Sequence, residues 1–193
     1  MGATLRLAIA DPPYPPFVGC GGSKNRASRW YGNGQRSQTD RPPDLHPEAA
    51  EWDSPERHRQ LLEQLVDEFD GFAIATSPDG LSAYGELPLG TRIMAWVKPN
   101  AMPGSHRIRS LWEAVILYPP VERRSNRGGV GMVNDVLTCP APRYGFRGAK
   151  PPEWTAWVLS AMTFTDGDEV VDLFPGSGAV GVTLRGGHQV PLW

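Results

Sequence analysis

The stretch that decides the fold is residues 5–14, Leu5-Arg6-Leu7-Ala8-Ile9-Ala10-Asp11-Pro12-Pro13-Tyr14. Its first part is an apolar run bounded by proline, which predicts a parallel strand covered on both faces of a sheet. The two prolines then exclude a helix and fix the chain in an extended turn. We therefore expect a carboxylate, two rigid residues and an aromatic ring at the carboxyl end of a core strand, where open α/β sheets bind ligands.

The corner after this strand presents hydrogen-bond acceptors in fixed directions. Pro12 has no N–H group, and the backbone carbonyls of Asp11 and Pro12 add to the carboxylate of Asp11. Tyr14 offers a flat face for stacking a planar ring. The pattern predicts that the group bound here is an amine, in particular the exocyclic amine of a nucleobase that has been flipped out of the base stack. The plain alternative is a proline-rich turn with Asp11 as a surface acid, because short motifs often match by chance.

Composition indicates one ordinary globular domain, residues 1–193, with 40% hydrophobic and 21% charged residues. The net charge of −2 does not by itself indicate nucleic acid. Cys20 and Cys139 form no zinc-binding pattern, so we expect no metal. The sequence has no signal peptide and no apolar run long enough to span a bilayer, and we expect no membrane association and a reduced, cytoplasmic location.

Positive charge is concentrated in two loop segments. The segment 19–46 is polar and rich in glycine, and from residue 19 to 43 it carries five basic residues against one acid. The stretch 119–150 carries six basic residues against two acids. Basic loops suit a phosphate backbone, so both are candidates for contact with nucleic acid. Solvated loop arginines are the alternative.

Hydrophobic periodicity predicts the other elements. The helices are expected from Pro55, capped by Ser54 and ended by Gly71, over 150–162 and over 179–185. The strands are expected over 72–76, 92–99, 112–118, 135–137, 169–174 and from 188. Residues 77–80 are expected to form a turn, and the strands 92–99 and 112–118 an antiparallel hairpin at a sheet edge. The first strand, the first helix and the second strand predict a crossover between parallel neighbours.

A second corner follows the strand 169–174, where Pro175-Gly176-Ser177-Gly178 leads into a helix. Its glycines remove side chains that would keep a ligand from the backbone. The helix N-terminus behind them favours a carboxylate or ribose hydroxyls. With Gly181, the spacing also fits the GxGxxG pattern, so a nicotinamide-binding domain is a further interpretation. The phosphate-binding pattern GxxxxGK[ST] is absent, and Pro175 replaces the first glycine of a nucleophile elbow.

Together these motifs resemble the S-adenosylmethionine-dependent amino-methyltransferases of DNA, which act on adenine N6 or cytosine N4. Residues 11–14 look like the catalytic DPPY motif of that family, and residues 172–178 look like its cofactor motif. Lys150-Pro151 before a tryptophan-rich helix resembles the motif that precedes the cofactor motif. Residues 96–100 and 112–113 resemble the middle of the family. The catalytic motif comes first, which is the permuted order of the β class.

The resemblance implies a Rossmann-like methyltransferase fold, a mostly parallel sheet with helices on both faces. It also implies a sheet cut short at its C-terminal edge, since no ribose-binding acid follows before Trp193. The catalytic residues it implies are Asp11, Pro12, Pro13 and Tyr14. The residues it implies for cofactor binding are Asp11, Lys150, Asp172, Phe174, Gly176, Ser177 and Gly178.

In function, the resemblance implies a site-specific DNA methyltransferase. It would transfer a methyl group from S-adenosylmethionine to an exocyclic amine, most simply adenine N6. Asp11 and the Pro12 carbonyl would accept hydrogen bonds from the amine, Tyr14 would stack on the base, and Lys150 would lie near the cofactor's carboxylate. No metal is needed, because the sulfonium is already activated and alignment supplies most of the rate.

The family further implies DNA as the partner and the cytoplasm of a bacterium or a phage-infected host as the location. Residues 119–148 would be a short target-recognition segment. The alternative is a catalytically impaired module of the same fold that binds DNA or a partner without turnover.

Overall fold

The computed structural model describes residues 4–16, 46, 48–101, 108–125, 131–143, 148–176 and 178–186. Within these ranges no helix has both the length and the apolar character needed to cross a membrane. Most of the basic segment 19–46, parts of the segment 119–148, and the strand expected from residue 188 lie outside the described residues.

The described residues form a mixed α/β fold around one six-stranded sheet. Its strands are β1 (Arg6–Ala10), β2 (Gly71–Thr76), β3 (Arg92–Val97), β4 (Trp112–Tyr118), β5 (Val136–Thr138) and β6 (Glu169–Asp172). The spatial order is β5-β3-β4-β2-β1-β6. β4 pairs antiparallel with β2 and β3, and the other three pairings are parallel. Five strands therefore run in one direction and only β4 runs against them, which confirms the expected mostly parallel sheet.

Helices cover both faces of this sheet. They are α1 (Pro55–Glu68), α2 (Pro152–Ala161) and α3 (Ala179–Arg185), with short 3-10 helices at Glu51–Asp53, Pro78–Tyr84 and Val121–Arg123. Side chains alternate along β1, so Leu7 and Ile9 pack with α2 while Ala8 and Ala10 pack with α1. Because both of its faces are covered, β1 reads in the sequence as the continuous apolar run that predicted it.

The first helix begins as expected and ends earlier. The Ser54 side chain accepts a hydrogen bond from the backbone N–H of Glu56, and Pro55 occupies the first turn. The helix ends at Glu68, so the expected stop at Gly71 is wrong. Gly71 is instead the first residue of β2, and a Cβ there would approach the Pro120 ring to 2.7 Å. The glycine is therefore explained by a close approach of the chain rather than by helix termination.

Four other local predictions need correction. β4 lies between β2 and β3, so the β3–β4 hairpin is antiparallel as expected but β4 is an interior strand. The expected turn at 77–80 opens the 3-10 helix Pro78–Tyr84. β6 ends at Asp172, two residues before the expected end. The helical spacing of Leu61, Leu62, Leu65, Val66 and Phe69 predicts one apolar stripe on α1, but Val66 is 44% exposed.

Candidate functional site

The two corners predicted from the sequence follow neighbouring strands. β1 and β6 are adjacent and parallel, and Ile9 is the register partner of Asp172. The backbone N–H of Leu173 continues the pairing by donating to the carbonyl of Ile9 at 3.0 Å. Because the strands are parallel, the corner at Asp11 and the corner at Gly176 lie at the same edge of the sheet.

Lys150 holds the carboxylate of Asp11 at this edge. Its Nζ lies 2.7 Å from both Oδ1 and Oδ2 of Asp11, although 139 residues separate the two in the chain. The same ammonium donates to the carbonyl of Gly148 at 3.3 Å. The side chain of Lys150 is 7% exposed and that of Asp11 28% exposed, so the pair is largely shielded from water.

A second carboxylate, Glu113, connects this pair to the rest of the edge. Its Oε2 accepts a hydrogen bond from the Tyr14 hydroxyl at 2.6 Å and lies 3.5 Å from Nζ of Lys150. Its Oε1 accepts a hydrogen bond from Nζ of Lys98 at 2.5 Å. Two carboxylates and two ammonium groups thus form one network, with the hydroxyl of the predicted stacking residue Tyr14 attached to it.

Aromatic rings surround the ammonium of Lys150. Its Nζ lies 5.3 Å from the ring centroid of Tyr14, 5.8 Å from that of Trp154 and 6.0 Å from that of Trp96. Rings at these distances attract a cation and exclude water from it. The Trp96 ring is itself fixed, since its Nε1 donates to the carbonyl of Cys139 at 3.0 Å. The rings therefore hold the network in a partly apolar setting, where its ion pairs are stronger than in water.

Strand alternation explains why these groups meet. Asp11 is two residues beyond Ile9 of β1, and Glu113 is two residues before Val115 of β4, so each continues the face that packs on α2. Because β4 runs antiparallel, its start lies at the same edge as the carboxyl ends of the parallel strands. Lys150 lies two residues before the start of α2, the helix that packs on that face.

The two carboxyl groups at the edge of the cleft have pKa values shifted in opposite directions. Burial alone would raise the pKa of Glu113, but the charges of Lys150 and Lys98 and the hydrogen bonds from Lys98 and Tyr14 lower it overall. Glu113 is therefore an ionised partner for two cations. Burial raises the pKa of Asp172, and the hydrogen bond from the N–H of Phe174 opposes that shift only in part.

The glycine corner has the backbone geometry expected of it. Gly176 has φ of 37° and Gly178 has φ of 72°, a region that other residues rarely adopt. Gly178 caps α3, and nothing lies within 4 Å of the position where its Cβ would be. Ser177 lies outside the described residues. A ligand could therefore approach the backbone of Gly178 without meeting a side chain among the described residues.

A solvent-open cleft joins the two corners. Its lining includes Asp11, Lys150, Thr155, Asp172, Phe174 and Gly176. The Oγ1 atom of Thr155 is buried and has no hydrogen-bond partner in the described part of the chain. A buried hydroxyl without a partner is costly, so Thr155 is a candidate contact for a polar ligand. The enclosed part of the cleft measures about 40 Å³. A ligand of nucleoside size must therefore lie in the open mouth or widen the cleft.

The structure thus brings together most of the residues that the sequence singled out. The described residues among them, Asp11, Pro12, Pro13, Tyr14, Lys150, Asp172, Phe174, Gly176 and Gly178, follow or adjoin two neighbouring strands. Phe174 packs on the α1 side, where its ring lies 5.2 Å from that of Trp52. Sequence reasoning left the role of Glu113 undecided and gave Lys98 none. Glu113 could have been found from its position two residues before Val115, which places both side chains on the same face of the strand.

No protein-family model matches the chain, and no protein with a curated description matches it significantly.

Proposed function

We propose that this protein transfers a methyl group from S-adenosylmethionine to an exocyclic amine of a DNA base, most simply adenine N6. The observation that carries the proposal is the pairing of β1 with β6. It gives the Asp11 carboxylate and the glycine corner a shared cleft. A donor of methyl groups held by one corner and an amine held by the other would then meet across a short distance, as alignment of the two reactants requires.

The chain's own residues would act mainly by orienting the amine. S-adenosylmethionine, when bound, would supply a methyl carbon on a positively charged sulfur, and the electrons of the broken carbon–sulfur bond would leave with the sulfur. The amine nitrogen would form the new bond to that carbon and release its surplus proton to solvent. The Asp11 carboxylate would accept a hydrogen bond from the amine and so direct its lone pair toward the cleft. Tyr14, whose hydroxyl is fixed by Glu113, would present its ring for stacking.

The residues in the cleft fit such a cofactor. The buried hydroxyl of Thr155 lacks a partner among the described residues, and the backbone of Gly178 is open to close approach. Asp172 also lines the cleft and offers a carboxylate as a hydrogen-bond acceptor, one oxygen of which accepts from the N–H of Phe174. The expected place of Lys150 near the cofactor's carboxylate stays a prediction, because its ammonium is already engaged with Asp11.

The test is incorporation of labelled methyl groups into amplified DNA, which carries no methylated bases. Nucleosides from a complete digest would then separate N6-methyladenine from N4-methylcytosine. We expect transfer by the wild type and a loss of about 10²- to 10³-fold in the Asp11→Asn variant, because the acceptor for the amine loses its charge. Absence of transfer by the wild type to either base would reject the proposal.

A matched control separates this effect from a general loss of charge. Asp67 is exposed on α1 near the opposite edge of the sheet, so Asp67→Asn makes the same chemical change away from the cleft. We expect Asp67→Asn to transfer methyl groups at the wild-type rate. Equal losses in both variants would mean that Asp11 has no special role.

A binding module without turnover is the second candidate. It is favoured by one observation, that Lys150 contacts both carboxylate oxygens of Asp11, the atoms the amine would need. Calorimetry distinguishes the two functions. Tight binding of S-adenosylmethionine favours the enzyme, whereas binding of duplex DNA alone favours the module. Binding of NAD in the same assay would support the nicotinamide interpretation of the glycine corner instead.

A further inference from the structure

The ammonium of Lys150 lies between two carboxylates at unequal distances. Its Nζ is 2.7 Å from the nearest oxygens of Asp11 and 3.5 Å from Oε2 of Glu113. Moving it onto Glu113 would need a shift of about 1 Å, which is within the reach of the flexible four-carbon stem of lysine. Lysine therefore has two charged partners available without a change in the backbone.

This arrangement bears on how an amine could reach Asp11. The oxygens of Asp11 already accept hydrogen bonds from Lys150, and a positive charge so close weakens them as acceptors for a second donor. Simply removing Lys150 from Asp11 would leave a largely buried ammonium without its partner, which is strongly unfavourable. A second carboxylate beside the pair resolves this conflict.

We infer that Glu113 is a positioning residue that takes over Lys150 when a target amine binds to Asp11. This inference rests on the proposed methyl transfer. The amine replaces the ammonium at Asp11, and the ammonium passes to Oε2 of Glu113. Every buried charge keeps a partner throughout, because Lys98 continues to donate to Oε1.

This passage of the Lys150 ammonium from Asp11 to Glu113, here called the handover, also couples Asp11 to the stacking residue Tyr14. Tyr14 donates its hydroxyl to Oε2 of Glu113, the same oxygen that would receive Lys150. A carboxylate oxygen has two lone pairs and can accept both donors. Glu113 would thus fix the ring of Tyr14 while it draws Lys150 from Asp11. The titratable groups that face this carboxylate are Tyr14, Lys98 and Lys150.

A crystal structure of the full-length Asp11→Asn variant tests the handover without reference to activity. Asparagine keeps the shape of Asp11 but not its charge. We expect Nζ of Lys150 to lie within 3.0 Å of Glu113 in that variant, compared with 3.5 Å in the wild type. A lysine that stays on the amide of residue 11, at its original distance from Glu113, would overturn the inference.

Two substitutions of Glu113 test its role in transfer. Glu113→Gln keeps the length and an acceptor for Tyr14 but removes the charge, whereas Glu113→Asp keeps the charge on a shorter side chain. The handover predicts at least a tenfold loss of kcat in Glu113→Gln, with KM for S-adenosylmethionine within twofold, and a smaller loss in Glu113→Asp. A purely structural role predicts that kcat falls only in proportion to the loss of folded protein, which urea unfolding of both variants measures.

The matched control is Glu63→Gln, an exposed position on α1, which should leave kcat unchanged. Transfer by the wild type together with full activity in Glu113→Gln would overturn the handover and leave the proposed function standing. If the wild type transfers no methyl group, both the proposed function and the role of Glu113 in transfer are rejected. The Asp11→Asn structure then decides separately whether Lys150 moves from residue 11 to Glu113.

Discussion

Two shielded ion pairs lie at opposite edges of the sheet, and their surroundings differ. At the edge opposite the cleft, Arg123 makes hydrogen bonds with both carboxylate oxygens of Asp168, at 2.5 and 2.8 Å. Asp168 also accepts the backbone N–H groups of Leu5 and Thr165 and the Thr165 hydroxyl. In the cleft, by contrast, Lys150 joins Asp11 with a second carboxylate 3.5 Å from its ammonium.

The difference separates a pair that fixes the fold from a pair that can rearrange. Asp168 receives planar, bidentate donation from arginine and further donors from the backbone, so its position is determined several times over. Its pKa lies well below its usual range: burial opposes that shift, but the hydrogen bonds from Arg123, Leu5 and Thr165 outweigh it. Lys150 is a point charge on a flexible stem between two acceptors.

The largest expected effect is on stability, from removing the fixed carboxylate. Asp168→Asn should lower the free energy of unfolding by about 3 kcal/mol, near the lower end for a broken buried pair because Arg123 is 19% exposed. Asp11→Asn should cost less than about 1 kcal/mol, because Glu113 can receive Lys150. Urea unfolding of the two variants measures both values. Equal losses would contradict the distinction between the two pairs.

A smaller effect comes from a buried group that belongs to neither pair. Burial lowers the pKa of His58 to about 4, against the hydrogen bond between its Nε2 and the Trp52 carbonyl. Between pH 6.5 and 4 the unfolded state binds the proton and the folded state does not, so stability falls as the pH falls. About 2 kcal/mol of stability is lost by pH 5, and the loss approaches about 3 kcal/mol only near pH 4 and below.

Urea unfolding measured between pH 7 and 4 tests whether His58 causes this loss of stability. In His58→Gln, the free energy of unfolding should fall less steeply as the pH falls. Asp168→Asn should keep the wild-type slope, because a carboxyl with a lowered pKa contributes stability that is lost only below about pH 4. A wild-type slope in His58→Gln would assign the decline to another group.

The smallest effect is expected at an exposed ion pair between β1 and β6. Nε of Arg6 on β1 lies 3.6 Å from Oε2 of its register partner Glu169 on β6, and the side chains are 44% and 61% exposed. Arg6→Gln should change the free energy of unfolding by about 0.5 kcal/mol, and less in 1 M salt. A loss as large as that of Asp168→Asn would show that exposure does not govern these pairs.

Much of the fold could be predicted because its central strands β1 and β2 are apolar along most of their length. β1 and β2 are covered on both faces, which leaves a signal that needs no knowledge of neighbours. The place of β4 could not be predicted. Nothing in residues 112–118 indicates that this strand inserts between β2 and β3, since strand order depends on pairing between distant segments.

The candidate site, like the fold, could be predicted from the sequence only in part. Asp11 and Asp172 were predicted from motifs, and they meet because each follows a buried run on a strand that pairs with the other. The contact between Lys150 and Asp11 could not be predicted, because it depends on how the start of α2 docks on the sheet. Glu113 could have been found, since the alternation of β4 places it on the face of the buried Val115.

The position of β1 between β2 and β6 has a consequence for biosynthesis. β1 and β2 are synthesised before β6, which ends at residue 172. Until that residue has left the ribosome, one edge of β1 has no native partner, and such edges invite pairing with other chains. The two corners of the cleft follow β1 and β6, so the candidate reaction centre assembles only after β6 has followed the other five strands out of the ribosome.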